Sequence, residues 1–190
     1  CWNNRCTTEN GGKRMIIWLI GISGAGKTTI GRRLEEYLNK AGRRNYLLDG
    51  DEVRDLFDRD LGYTDADREA NIKRILLGAY LLDKNDIVGI ICNIAPLEHL
   101  RALARKKIAG YNEIYLKKDL AVSRKNDVKG VYRDNEGKTP IVGIDARFDE
   151  PQHPDLVLEV DKLSEEETFQ AVLDYMEKKY GKGWEKEVRA

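Results

Sequence analysis

A glycine-rich motif between an apolar run and an amphipathic pattern constrains the fold of this chain most. Residues 21–28 read Gly-Ile-Ser-Gly-Ala-Gly-Lys-Thr and match the pattern G-x-x-x-x-G-K-S/T in full. Residues 15–20 before it are all apolar, which predicts a buried strand. After it, apolar residues recur at helical spacing, at Ile30, Leu34, Leu38 and Ala41. Because this motif binds phosphate when it joins a strand to a helix, the sequence predicts a phosphate-binding loop.

The residue types of the motif suit a chain of phosphates. Glycines let successive N–H groups point at one anion, and the following helix adds its positive N-terminal end. Lys27 supplies a charge for the β- and γ-phosphates, and Thr28 supplies a hydroxyl for Mg²⁺. We therefore predict Thr28 as a metal ligand. The residues predicted to bind the phosphates of ATP are Gly21, Ser23, Gly24, Ala25, Gly26, Lys27, Thr28 and Thr29.

Strand and helix patterns alternate along the rest of the chain. Strands are predicted at residues 16–20, 46–48, 87–92, 114–116 and 156–160; helices are predicted at 27–41, after the capping box at 64–67, from Pro96, and from Ser164 to Gly181. This alternation predicts an α/β fold with a mostly parallel five-stranded sheet and helices on both faces. Ligands then bind at the carboxyl ends of the strands, so the glycine loop, residues 49–54 and residues 93–96 should lie along one rim.

The predicted domain covers residues 15–181. Residues 1–14 are polar and turn-prone, which indicates a disordered or non-native leader, and residues 182–190 with Trp184 are predicted to be a solvated tail. Residues 124–154 are rich in charged residues, Gly and Pro, without apolar periodicity. Beside a phosphate site, such a segment is expected to be a mobile lid that excludes water, with a plain surface loop as the alternative.

Composition narrows the class of partner. The formal net charge is zero, so no basic field favours nucleic acid or a membrane surface. The longest apolar run, residues 15–22, is too short to span a bilayer. Cys1, Cys6 and Cys92 have no metal-like spacing, and Cys92 lies in an apolar run typical of a buried thiol. We therefore expect a cytoplasmic protein whose partner is neither nucleic acid nor a membrane.

Two carboxylates follow the second predicted strand, in the sequence Asp49-Gly50-Asp51. At a strand end beside bound phosphate, one can hold a water of Mg²⁺ and the other can accept a proton from the acceptor hydroxyl. A turn with two solvated acids is the alternative. Together with the glycine loop on the same rim, the pattern predicts Lys27, Asp49 and Asp51 as catalytic residues.

Further segments resemble the adenylylsulfate kinase family. They are LDGDEVR at 48–54, RDLGYTDADR at 59–68 with Asn71, KGVY at 129–132 and GID at 143–145, and with the glycine motif they follow the family order from about residue 15 to 160. The resemblance implies a P-loop kinase three-layer sandwich that transfers the γ-phosphoryl of ATP to the 3′-hydroxyl of adenosine 5′-phosphosulfate. It places Lys129 on the lid, and because family members are often dimeric it leaves a homodimer open. It implies an acceptor site formed by Asp51, Arg54, Tyr63, Arg68, Asn71, Ile94, Ala95, Lys129 and Ile141.

One segment departs from the family pattern. Where the family usually has S-F-I-S-P-F-R, this chain has CNIAPLE at 92–98. Ala95 replaces a serine, which excludes a phosphoserine intermediate there, and Glu98 replaces an arginine, for which Arg101 on the same helix face is a candidate substitute.

A carboxylate beside a phosphosulfate would repel it. The alternative is therefore an acceptor with a less anionic end, such as cytidine diphosphoramidate. A nucleotide-gated switch is a weaker alternative, because the guanine signature N-K-x-D is missing.

Overall fold

Five parallel strands form one sheet in the order β2-β3-β1-β4-β5 in the computed structural model, which describes residues 14–119 and 147–186. This confirms the predicted α/β class. The elements are β1 (Ile16–Ile20), α1 (Lys27–Lys40), β2 (Asn45–Asp49), α2 (Gly50–Leu56), α3 (Asp65–Lys84), β3 (Val88–Cys92), α4 (Glu98–Lys107), β4 (Tyr111–Lys117), β5 (Leu156–Glu159) and α5 (Glu165–Tyr180).

The central strand β1 is buried along its whole length and pairs in parallel with β3 and β4. In these ladders Ile17 lies opposite Ile90 on one side and Asn112 on the other. A continuous apolar strand is expected here, because a parallel sheet covered by helices on both faces leaves neither face to water.

Successive side chains of β1 point to opposite faces and supply two hydrophobic clusters. Ile17 and Leu19 pack with residues of α1 and α5, including Leu34 and Met176. On the other face, side chains of β1 pack with residues of α3 and α4; this second cluster includes Ile16, Trp18, Ile20, Ile75, Ala79 and Ala104. The three predicted layers are therefore helix, sheet and helix, with the carboxyl ends of the strands left open at one edge.

Both predicted capping boxes are present. Thr64 and Asp67 cap α3 reciprocally, and Ser164 and Glu167 do the same for α5. Gly181 follows α5 with φ 91°, a conformation that favours glycine at the end of a helix.

One helix was not predicted, and two elements begin two or three residues away from their predicted starts. The helix α2 was not expected, and it begins directly after β2 because the Asp49 side chain accepts a hydrogen bond from the Asp51 N–H. The helix predicted from Pro96 begins at Glu98. The strand predicted from residue 114 begins at Tyr111, since the polar residues before it are buried against partners from distant segments.

The chain after α5 packs against the body of the protein. Trp184 is 7% exposed, and its ring centroid lies 6.1 Å from that of Tyr37 on α1. The prediction of a solvated tail is therefore wrong at Trp184. The predicted leader up to residue 13, most of the predicted lid with Lys129 and Ile141, and residues 187–190 lie outside the described residues. In the described ranges, no helix has the length and apolar character needed to cross a bilayer.

Candidate active site

A cavity of about 360 Å³ opens at the carboxyl ends of the strands and is bordered by the glycine loop, the start of α2, the start of α3 and the loop after β3. It brings together most of the residues that the sequence predicted. Of these, the lining includes Ser23, Gly24, Gly26, Lys27, Thr28, Thr29, Asp49, Asp51, Arg54, Tyr63, Arg68, Asn71, Ile94 and Ala95.

The glycine loop needs its glycines for backbone geometry. Gly21, Gly24 and Gly26 have φ values of 146°, 76° and 86°, which side chains rarely adopt. A Cβ atom on Gly21 would also lie 2.5 Å from the carbonyl oxygen of Leu116 on β4. Position 21 of the loop therefore fits against β4 only when it is a glycine.

Lys27 lies over the loop that it follows. Its Nζ donates hydrogen bonds to the carbonyl oxygens of Gly21 at 2.9 Å and Ile22 at 2.8 Å. No side chain caps the N-terminus of α1, because Gly26 stands at the N-cap position. The N–H groups of the first helical turn and a lysine ammonium therefore meet at one place, which is the arrangement that a phosphate chain requires.

Asp49 connects the glycine loop to α2. Its Oδ2 accepts a hydrogen bond from Thr28 Oγ1 at 2.9 Å, and its Oδ1 accepts one from the Asp51 N–H at 2.9 Å. A carboxylate and a hydroxyl side by side are hard oxygen ligands of the kind that Mg²⁺ prefers. Thr28 and Asp49 therefore fit the predicted metal. The bond from the Asp51 N–H to Asp49 Oδ1 holds Asp51 at the start of α2.

Two arginines of the cavity lining lie close to one aromatic ring, that of Tyr63. The guanidinium carbon of Arg54 lies 4.8 Å from the ring centroid of Tyr63, and that of Arg68 lies 5.6 Å from it. Arg68 donates a hydrogen bond to the Tyr63 carbonyl at 3.0 Å. Burial, followed by the charge of Arg54, lowers the pKa of Arg68. Two like charges in a partly desolvated site favour a bound anion.

Asn71 and Asn93 line this cavity, and the orientation of each side-chain amide is fixed. Asn71 offers a hydrogen-bond acceptor and Asn93 offers a donor. Trp18 Nε1 donates to Asn93 Oδ1 at 2.7 Å, and Asn71 Nδ2 donates to the Gly50 carbonyl at 3.3 Å. An indole N–H only donates and a carbonyl only accepts, so neither amide can be flipped. Asn93 Nδ2 and Asn71 Oδ1 are buried without a hydrogen-bond partner among the described residues.

Asn93 was not predicted as a site residue. Its position directly after β3, on the predicted rim, was the available signal.

Glu98 and Arg101 lie apart from the cavity lining. Arg101 is 2% exposed, its Nε donates to Glu98 Oε2 at 3.1 Å, and its Nη1 donates to the Ala95 carbonyl at 2.6 Å. The idea that Arg101 substitutes for a pocket arginine is therefore wrong. The idea that Glu98 repels an anionic acceptor finds no support either, because the carboxylate of Glu98 forms an ion pair with Arg101.

The predicted buried thiol is confirmed. Cys92 is buried at the end of β3, and its Sγ donates to the Lys27 carbonyl at 3.3 Å. Burial raises the pKa of the Cys92 thiol to about 12, so the thiol stays protonated at neutral pH and supplies packing rather than a nucleophile.

A second cavity of about 330 Å³ lies on the other side of the glycine loop. Gly24, Gly26 and Thr29 line both cavities, and Ala25 and Lys118 line the second. Gly21, which was also predicted to bind phosphate, lines neither. The glycine loop thus lies between the two cavities. This arrangement allows a ligand in each cavity to contact the phosphate-binding loop.

Comparison with known proteins gives a consistent result. The family model for adenylylsulphate kinase matches residues 13–159. The adenylyl-sulfate kinase of Halothermothrix orenii is 40% identical over 169 residues, which cover 88% of this chain and 91% of that protein.

Two solved structures extend the comparison. The APS kinase of Mycobacterium tuberculosis in complex with AMPPNP and APS is similar with a TM-score of 0.75 at 33% identity, over 87% of this chain and 98% of that chain. A hexameric APS kinase from Thiobacillus denitrificans is similar with a TM-score of 0.67 at 28% identity, over 90% of this chain and 30% of that chain.

Proposed function

Because this chain belongs to the adenylylsulfate kinase family, we propose that it transfers the γ-phosphoryl group of ATP to the ribose 3′-hydroxyl of adenosine 5′-phosphosulfate (APS). The products are ADP and 3′-phosphoadenylylsulfate. The observation that carries the proposal is that one cavity holds the glycine loop with Lys27, the Asp51 carboxyl group, and the arginine pair Arg54 and Arg68.

The donor side is proposed to bind ATP through the glycine loop. The loop N–H groups and Lys27 face the β- and γ-phosphates, and the second cavity leaves room for the nucleoside. Thr28 and Asp49 would hold Mg²⁺, which, when bound, neutralises charge on the β- and γ-phosphate oxygens. Before ATP binds, Lys27 Nζ is held by two loop carbonyls, so we expect its ammonium to exchange them for phosphate oxygens.

The acceptor side is proposed to bind APS through its anionic end. Arg54 and Arg68 supply positive charge, and both guanidinium groups lie close to the ring of Tyr63. Asp51 lies at the start of α2 and lines the same cavity as Thr28 and the two arginines. From there its carboxylate can orient the 3′-hydroxyl and accept its proton while the hydroxyl oxygen attacks the γ-phosphorus.

An acceptor with a less anionic end is not favoured. Its support from Glu98 is removed, because Glu98 forms an ion pair with Arg101 outside the cavity lining. Residues 129–136 of the predicted lid, which are less basic than the family pattern, also supported it and lie outside the described residues. The arginine pair in the cavity favours an acceptor with a more anionic end over one with a less anionic end.

The experiment is an acceptor screen. ADP release is measured with APS, with cytidine diphosphoramidate and without acceptor, and the product is located by mass spectrometry. We expect rapid ADP release with APS, a 3′-phosphorylated product, and little release without acceptor. A slow hydrolysis that ignores the acceptor would instead indicate a nucleotide-gated switch, and preference for the phosphoramidate would overturn the assigned acceptor.

The assembly and the location of the protein are further proposals. We propose that the protein acts in the cytoplasm, since Cys92 is buried and free of a disulfide. The resemblance to the family leaves a homodimer open. Light scattering coupled to size-exclusion chromatography measures the mass directly, and a monomer or a hexamer would contradict the dimer.

A further inference from the structure

Ala95 has an unusual backbone conformation in the wall of the proposed acceptor site. It has φ 44°, in the left-handed region that residues with a Cβ rarely adopt. It is buried, and with Ile94 and Pro96 it lines the cavity. Such a conformation persists only when its surroundings hold it in place. The groups that hold Ala95 therefore also shape the site.

Arg101 supplies the side-chain contact to Ala95. Its Nη1 donates to the Ala95 carbonyl at 2.6 Å, and its Nη2 donates to the Asp149 carbonyl at 2.6 Å. Its Nε donates to Glu98, and Glu113 Oε1 lies 3.8 Å from the same nitrogen. A planar guanidinium directs its donors in fixed directions, so a lysine ammonium cannot make this set of contacts.

Two hydrogen bonds, one of them accepted by the Asp149 side chain, fasten Asp149 to the same loop. The Asp149 N–H donates to the Pro96 carbonyl at 2.8 Å, and the Glu98 N–H donates to Asp149 Oδ2 at 3.1 Å. With the two bonds from Arg101 to Ala95 and Asp149, these contacts join residues 95–98 to Asp149. The loop after β3 is thus held from outside the cavity.

We propose that Arg101 is a positioning residue of the acceptor site, acting through the main chain of Ala95. The proposal rests on the proposed function, because it names what sets the shape of that acceptor site. Arg101 lines neither cavity, so its removal leaves the glycine loop and the ATP side intact. Loss of its guanidinium releases the Ala95 carbonyl and moves the wall that APS contacts.

The matched control is Arg105, one turn further along α4. Its guanidinium also pairs with Glu113, at 3.4 Å, and with Asp155, at 3.0 Å, but it lies away from Ala95. Arg101→Lys and Arg105→Lys therefore both disturb the buried charges around Glu113. We expect only Arg101→Lys to raise the KM for APS, by about tenfold or more, with the KM for ATP changed less than about twofold.

Hydrogen exchange tests the same claim without catalysis. In Arg101→Lys we expect faster exchange of the amides of residues 94–98 than in Arg105→Lys, with unchanged exchange in the glycine loop. Inactivity of the wild type with APS would overturn the proposed function, whereas unchanged exchange at 94–98 would overturn the role of Arg101. Equal changes in both variants, or equal changes in both KM values, would also overturn it.

If Arg101→Lys does not fold, the double variant Arg101→Met with Glu113→Gln tests the same contact, because it removes the guanidinium without leaving Glu113 as an unpaired buried carboxylate. Glu113→Gln alone is its control, since it keeps the bond from Arg101 to the Ala95 carbonyl. We expect a KM for APS about tenfold higher in the double variant than in the control, and an unchanged KM for ATP. Equal KM values for APS in the two variants, together with equal exchange at 94–98, would refute the proposal.

Discussion

Asp49 has two roles in the structure that substitutions can separate. Through Oδ1 it caps α2, and through Oδ2 it accepts the hydroxyl hydrogen bond of Thr28 beside the proposed metal position. Asparagine keeps the shape and still caps a helix about as well as aspartate. Asp49→Asn therefore removes the negative charge and retains the cap, while Asp49→Ala removes both.

The expected magnitudes follow from these contacts. Loss of an N-cap costs about 1 kcal/mol, and loss of the hydrogen bond from Thr28 costs about 1 kcal/mol more, so Asp49→Ala should lower the free energy of unfolding by roughly 2 kcal/mol. Asp49→Asn should change it by less than about 0.5 kcal/mol. Turnover should fall on the order of 100-fold in both variants, because electrostatic stabilisation dominates phosphoryl transfer.

Urea unfolding measures the first quantity, and kcat as a function of Mg²⁺ concentration measures the second. Ser164→Ala is the matched control, since Ser164 caps α5 in the same manner outside the proposed transfer site. It should cost about 1 kcal/mol of stability and leave the Mg²⁺ dependence of kcat unchanged. Wild-type turnover and Mg²⁺ dependence in Asp49→Asn would show that Asp49 is a cap alone and would refute its proposed catalytic role.

Three further substitutions test the site and the core. Lys27→Ala should abolish phosphoryl transfer with an unchanged circular dichroism spectrum, because the Lys27 side chain contacts loop carbonyls rather than the core; wild-type-like turnover would contradict the assignment. Asp51→Asn should lower kcat far more than it weakens ATP binding measured by calorimetry, and an equal loss in both would argue against an acceptor role. Gly31→Ala should cost about 1–3 kcal/mol in urea unfolding, since the new Cβ would lie 2.5 Å from Cys92 Sγ; an unchanged midpoint would show that α1 moves without cost.

Elements with a strong local signal were predictable from the sequence. A few neighbouring residues are enough to predict each of these elements. They are the apolar run of β1, the glycine loop, and the capping boxes at Thr64 and Ser164. The order of the elements then places the strand ends on one rim, so most of the predicted residues in the described ranges meet in one cavity.

The parts that were missed depend on partners far away in the sequence. The start of β4 has polar residues, and Glu113 is buried there because Tyr111, Arg101 and Arg105 face its carboxylate. Asn93 has a fixed orientation because the indole of Trp18, 75 residues earlier, donates to it. Neither contact leaves a periodic pattern in the sequence, so neither can be deduced from spacing.

The ion pair between Glu98 and Arg101 could not be predicted from the family pattern. The sequence correctly indicated that Glu98 and Arg101 share a face of α4, since they are three residues apart. The same spacing lets the two side chains neutralise each other, and Arg101 is then held by Ala95 and Asp149 on the side away from the cavity. A carboxylate that is paired with an arginine contributes little net potential to an anion nearby. The ion pairs around a pocket therefore have to be known before its charge can be deduced from the sequence. Arg54 and Arg68, which line the cavity, therefore supply positive charge to the proposed acceptor site.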